Sequence, residues 1–207
     1  WFWQFLLTSN EKRFIAATDA LSYLCHSSIN DTKELLEYYN MGAMLEQNGC
    51  AFVYDTERSF NKSFKSWTDR TSRGFISEVL NAGKIAEVIP TINDNFKFGY
   101  LSHEWGKVSE PIDIVQGLAN AAKMDGVIFQ LNRVKSVSEK LNSVVIDFDK
   151  SSSKYDAVVI AAGISSVELA ESLGDVLPMT AERGYNITIP SSNIDIDIPI
   201  VFADRGI

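Results

Sequence analysis

A mixed α/β fold is what this sequence predicts. Three observations carry the prediction. Apolar residues recur at helical spacing through much of the first half. After a single later helix, β-rich runs follow one another closely between Val127 and Ala161. The stretch SKYDAVVIAAGISS, residues 153–166, then drives an apolar strand, Ala157 to Ile160, into the near-bare turn Ala161, Ala162 and Gly163, just ahead of a further helix.

From the start, Phe14, Ala17, Leu21 and Leu24 share one helical face in a helix reaching back to Phe2. A second helix opens at Asp31, with Glu34 as its capping-box partner, and carries Leu35, Leu36, Tyr39 and Ala43 inward. Asn48-Gly49 supplies its left-handed stop. CAFVYD (50–55) reads as a strand. Phe60, Phe64 and Trp67 line a third helix, which Gly74 breaks. SEVLNAGKIAEVIP (77–90) reads as a short helix or two, and FKFGYLSHEWGKV (96–108) as one or two strands.

Pro111 stands where a first helical residue belongs, and Ile114, Val115, Leu118, Ala121 and Ala122 form the apolar face that follows. Asp125-Gly126 closes that helix. The runs VIFQL, RVKSVS, SVVIDF and DAVVIA then read as strands, separated by turns at 132–133, 140–142 and 150–154. The helix after the bare turn begins at Ser165 or Ser166 and ends at Gly174; GYNITIP and IPIVF read as two more strands. A helix, a strand and a meander ahead of a buried strand is an elaboration of dinucleotide-binding folds, which take their ligand at the carboxyl ends of the strands.

Composition excludes several classes. With 45% hydrophobic residues in 207 there is enough for one large domain or two small ones. Nineteen Lys and Arg against 27 Asp and Glu, scattered and without a basic block, argue against a nucleic-acid surface. Cys25 and Cys50 are too few for a disulfide framework and have no metal-site spacing, so reduced thiols in a cytoplasmic protein are the default. No apolar run is long enough for a membrane span, and the aromatic start lacks the basic leader of a signal peptide. That start at Trp1, and an end at VFADRGI in an apparent strand and turn, predict a fragment of a longer protein.

Most motifs fail when tested. No two glycines are separated by a single residue, which leaves neither a Rossmann fingerprint nor a P-loop. His103-Glu104 lacks the second histidine of a zinc-protease helix, and no Gly-x-Ser-x-Gly elbow occurs. Cys25-His26, at the end of the first helix, reads as structural. Small residues at Ala161–Gly163 serve close helix–strand packing as readily as a ligand.

Order and spacing add what single motifs do not. EPIDIVQGLANAAKMDGVIF, NRVKSV, KYDAVVIAAGISSVELAESLG and LPMTAERGYNITIP, in that order, resemble flavin-dependent oxidoreductases of the D-amino-acid oxidase superfamily, above all the D-amino-acid dehydrogenases. The resemblance extends upstream through FWQFL, MGAMLEQNGCAFVYDTE and VIPTI. It implies part of a Rossmann-like FAD-binding domain with a β-meander, plus part of an antiparallel-sheet substrate domain. Residues 1–48 and 109–182 would go with the FAD domain, and 49–108 and 183–207 with the substrate domain. FAD is the implied cofactor: Ala161, Ala162 and Gly163 would pass close to its pyrophosphate because they lack side chains, and the Val134 main chain would bond the adenine. Val134 as ordinary core is the alternative.

In the same resemblance Arg183, Gly184 and Tyr185 mark the crossing into the substrate domain. Arg183 faces a carboxylate, faces the cofactor, or is a solvated charge; all three stay open. Arg183 and Tyr185, with Tyr100 and His103, are substrate-pocket candidates; for Tyr100 and His103 simple packing is the alternative. The implied chemistry is oxidation of an amino acid, a D-amino acid by the nearest resemblance, by hydride transfer to FAD. An imine and then a keto acid follow, with oxygen, a quinone or a carrier as electron acceptor. No catalytic acid–base pair and no metal are implied.

The glycine fingerprint and the family's usual substrate-binding arginine would lie outside these 207 residues, so the chain alone is expected to be colourless and inactive. A cytoplasmic location follows, with peripheral contact at the inner membrane left open for the intact protein. Two rival readings stand: a glycerol-phosphate or 2-hydroxyacid oxidoreductase of the same architecture, and a non-enzymatic interaction module.

Overall fold

The computed structural model describes residues 10–92, 95–108, 110–190, 193–194 and 196–206. They fall into two compact units, one holding residues 1–125 and 191–207, the other 126–190.

The first unit opens on α1 (Glu11–His26), whose N-cap Asn10 side chain accepts from the Arg13 N–H at 3.0 Å. Trp1 to Ser9, where the sequence extends this helix, lie outside the described residues. The anticipated inward face is not buried: Phe14, Leu21 and Leu24 are each more than 60% exposed. No described element packs over them, and α1 is tied down instead by Asp19, which pairs with Arg73 at 2.9 Å.

α2 (Ser28–Tyr38) begins a turn before the anticipated start, because the Ser27 hydroxyl donates to Asp31 Oδ2 at 2.6 Å and draws Asp31 inside the helix. It also stops earlier. Asn40 takes a left-handed φ of 58°, while Asn40 and Met41 N–H groups bond the Glu37 and Leu36 carbonyls. Leu36 is buried, Leu35 is exposed, and Ala43 falls beyond the helix in a 3₁₀ turn, Gly42–Met44.

The strand β1 (Leu45–Glu46) pairs antiparallel with β5 (Lys107–Val108). A second sheet contains β2 (Cys50–Tyr54), β3 (Ser77–Asn81), β4 (Phe98–Ser102) and β9 (Ile200–Phe202), in the order β3-β4-β2-β9. Only β2 and β9 run parallel. Residues 77–81, read as helical from sequence, form β3: Leu80 is buried and Val79 exposed, the alternation of a half-covered strand. Asn81 ends it by accepting from the Lys84 N–H at 3.0 Å, starting α4 (Ala82–Val88).

One face of this sheet is aliphatic, with Ala51, Val53 and Leu80 packed with Ile85 and Ile89. The other is aromatic and lies under α3 (Glu57–Thr71). There the Trp67 ring stacks on Tyr100 at 4.5 Å and its N–H donates to the Tyr54 hydroxyl at 2.9 Å. Phe64, assigned to that face with Phe60 and Trp67, points out and is 63% exposed. At the end of β9, Asp204 accepts from the Asp55 N–H and the Ser59 hydroxyl, both at 2.8 Å, and Arg205 grips Asp55 with two nitrogens. α5 (Pro111–Met124) starts at the anticipated proline; Ile114, Leu118, Ala121 and Ala122 are half-buried, Val115 exposed.

The second unit is built on a meander of β6 (Val134–Lys140), β7 (Ser143–Phe148) and β8 (Ser152–Tyr155), all antiparallel. Its third strand thus occupies the segment read as a turn. The short helix α6 (Ser166–Glu171) is held to the meander by Ser172, whose hydroxyl accepts from the Val137 N–H at 3.2 Å and lies 3.0 Å from the Val137 carbonyl.

Neither VIFQL nor DAVVIA is a strand here, because no sheet of the described residues includes them and an isolated strand leaves its main chain unpaired. Ile128 and Val159 are 82% and 88% exposed. GYNITIP is likewise irregular, with Tyr185, Ile187 and Ile189 exposed.

Candidate cofactor groove

The bare turn lies open to solvent. Ala161 and Ala162 are exposed, and Gly163 sits at φ +58°, where a side chain is strained. A Cβ placed there would meet nothing within 4 Å. The Ala162 N–H donates to the Ser166 hydroxyl at 3.1 Å, and the Ala162 carbonyl accepts from the Ser165 N–H at 3.2 Å. Local bonds thus fold the turn directly into α6, and its outer side stays free of cover.

Beside the turn runs a groove of about 590 Å³ confined to the second unit. Its walls include Val134 and Lys135 from β6, Asp149 after β7, Ala162 from the turn, and Glu168 from α6, with Arg133 just ahead of β6. Two residues singled out from sequence, Val134 and Ala162, therefore share one concavity, and Ala161 and Gly163 flank Ala162 on its turn. A register shift between Val134 and Ser136 distorts the start of β6. Lys135 pairs with Asp149 at 3.2 Å, whereas Arg133 has no ion-pair partner among the described residues. The wall thus carries two cations and two carboxylates. Arg133 and Glu168 escape sequence reasoning, since only the fold sets the start of β6 beside α6; the one available signal was the adjacency of Arg133 to Val134.

The remaining sequence candidates lie elsewhere. Tyr100 belongs to the first unit and is enclosed by the stack with Trp67 and Phe60, at 4.5 and 5.0 Å. Burial, with Tyr54 nearby, pushes its phenol above the usual range, and its hydroxyl has no hydrogen-bond partner among the described residues. His103, also in the first unit, is half exposed, with Nε2 3.6 Å from Glu78 Oε2. Lys84 chiefly, and His103 to a lesser degree, hold the Glu78 carboxyl below the usual carboxylate range. Arg183 and Tyr185 belong to the second unit, are exposed, and do not line the groove. A broader hollow of about 750 Å³ in the first unit is lined by His26, Asp31 and the paired Asp19 and Arg73.

Among the described residues no group of three or more His, Cys, Asp or Glu could hold a metal ion, and no helix is long and apolar enough to cross a membrane.

Known proteins resemble the chain in sequence and in fold. The chain is 29% identical to a D-amino-acid oxidase of Bradyrhizobium diazoefficiens over 193 residues, which cover 91% of the chain and 45% of that protein. It thus spans somewhat less than half the length of this relative. The fold is that of glycine oxidase from Geobacillus kaustophilus (TM-score 0.60, 22% identity, 81% of this chain and 44% of that one). It is also that of L-amino acid deaminase from Proteus vulgaris (TM-score 0.63, 17% identity, 76% of this chain and 38% of that one). Residues 3–207 match the family described as DAO, FAD dependent oxidoreductase, and the chain belongs to that family.

Proposed function

We propose that the intact protein is an FAD-dependent enzyme that oxidises an amino acid, most specifically a D-amino acid. The observation that carries the reading is the groove shared by Val134 and the exposed Ala162 turn, in a chain of this family. Similarity to a D-amino-acid oxidase supports the substrate class.

The second unit suits one end of a dinucleotide. Main-chain groups at Val134 offer an adenine edge its hydrogen bonds without needing a particular side chain. The bare Ala161–Ala162–Gly163 backbone lets a diphosphate approach, as the open space at Gly163 allows. FAD, when bound, supplies the acceptor for the hydride leaving the substrate α carbon; the imine so formed hydrolyses to a keto acid. No residue of this chain is assigned a proton transfer, since an amine that enters neutral requires no base. The chain's contribution is to hold and orient the cofactor. In this reading residues 1–48 and 109–182 serve the cofactor domain, and 49–108 and 183–207 the substrate domain. Oxygen, a quinone or a carrier protein takes the electrons onward, in the cytoplasm.

The visible spectrum of the intact protein tests the proposal. Anaerobic addition of D-amino acids should bleach the flavin band. A flavin-free preparation that cannot be reconstituted refutes the cofactor reading. Bleaching by glycerol phosphate or a 2-hydroxyacid, and by no amino acid, refutes the substrate class.

A further inference from the structure

The groove holds one flat side chain with nothing to do. Its described walls contain no aromatic residue. Lys135 is committed to Asp149 at 3.2 Å, while Arg133 is exposed and pairs with no carboxylate among the described residues. Arg133 immediately precedes Val134, whose main chain is offered to a purine edge in the reading above. A purine held by its edge still presents two apolar faces, and leaving them in water forfeits much of its binding. A guanidinium is planar, delocalised and weakly hydrated, and it lies flat on an aromatic face, whereas an ammonium meets that face only as a compact, strongly hydrated charge.

We infer that Arg133 is a cofactor-positioning residue that lays its guanidinium over one face of the adenine ring. This rests on the proposal that the groove takes the adenine end of FAD. Stacking, rather than an ion pair with the diphosphate, follows from two observations. Arg133 stands at the Val134 end of the groove, on a different element from the Ala161–Gly163 turn that offers bare backbone to the phosphates. Asp149 and Glu168 also line the groove, so its walls carry no excess of positive charge.

Titration of the intact, flavin-stripped protein with adenosine, ADP and FAD separates the possibilities. Arg133→Ala should weaken adenosine about tenfold and Arg133→Lys should weaken it measurably but less, with ADP and FAD weakened by the same factor in each variant and an unchanged salt dependence. The lysine variant keeps the charge and loses the plane, so it is the discriminating one; unchanged circular dichroism shows that both variants fold. Binding by Arg133→Lys equal to the unmodified protein overturns the inference. So does a loss confined to ADP and FAD with a shallower salt slope, which marks a phosphate contact. An unmodified protein that binds FAD and ADP but not adenosine also overturns it. Failure of the unmodified protein to bind any of the three refutes the groove as a cofactor site, and the inference with it.

Discussion

Replacement of Gly163 by valine probes the proposed close approach of a cofactor to the bare turn. Gly163 adopts φ +58°, so a β-branched residue there costs about 1–3 kcal/mol of backbone strain. A Cβ there meets no atom of the described residues beyond its chain neighbours within 4 Å, so the strain is chiefly that of the backbone. Against a typical stability of about 5–15 kcal/mol the fold survives. On the proposed reading the isopropyl group projects where the diphosphate would approach, so the purified intact protein should melt only slightly earlier yet lose its flavin. Gly174 supplies the control. It sits in the same unit at φ +90°, a Cβ there would likewise find no atom within 4 Å, and it lies beyond α6 rather than beside Ala162 in the bare turn. Gly174→Val should therefore carry a similar strain and keep its cofactor. The assay is the ratio of flavin to protein absorbance, read beside a thermal melt. Stoichiometric flavin in Gly163→Val, or equal loss from both variants, would refute the close-approach reasoning.

Tyr100→Phe should leave the urea midpoint unchanged or raise it, because the hydroxyl is buried without a partner among the described residues; a loss above about 1 kcal/mol would reveal a partner or a role. Burial pushes the Cys50 thiol from 9.0 up to about 11, so the unfolded chain ionises first and stability falls as pH rises between those values, with no contribution below them. Urea unfolding across that window should fall more steeply for the parent than for Cys50→Ala; parallel curves would contradict the burial argument. Ser172→Ala removes the side chain that satisfies the Val137 N–H, and should cost about 1–2 kcal/mol and speed hydrogen exchange at that amide. Unaltered exchange there would show that the Val137 amide is protected by something else.

Elements with a local start, stop or composition signal were legible in the sequence. Pro111 marked the start of α5, Gly74 the stop of α3, alternation revealed β4, and strand-like runs between turn signals revealed β2 and the β6–β7 hairpin. Asn40 concealed the end of α2, because asparagine reaches the left-handed region with no glycine to announce it. Residues 127–131 and 157–160 carry strand-like composition, but a strand exists only with neighbours, and periodicity says nothing about where neighbours are. The apolar stripe of α1 was correctly periodic and still exposed, since spacing identifies a face and not what covers it. At the groove, missing side chains pointed to Ala162 and the resemblance to Val134. Arg133 gained its setting only from the packing of α6 beside β6, a contact between residues far apart in sequence.

The parallel pairing of β9 with β2 has a bearing on synthesis. Tyr54 leaves the ribosome well before Phe202 is made, and the residues between them take roughly 7–30 s to translate at ordinary rates. Throughout that interval one margin of the nascent β2-β4-β3 sheet is without its β9 partner, and Asp55 awaits Arg205. A chain stalled or cleaved before Ile200 would present that margin indefinitely, offering a template for intermolecular strand addition. Late arrival of a single three-residue strand thus sets how long the β2 margin stays open during synthesis.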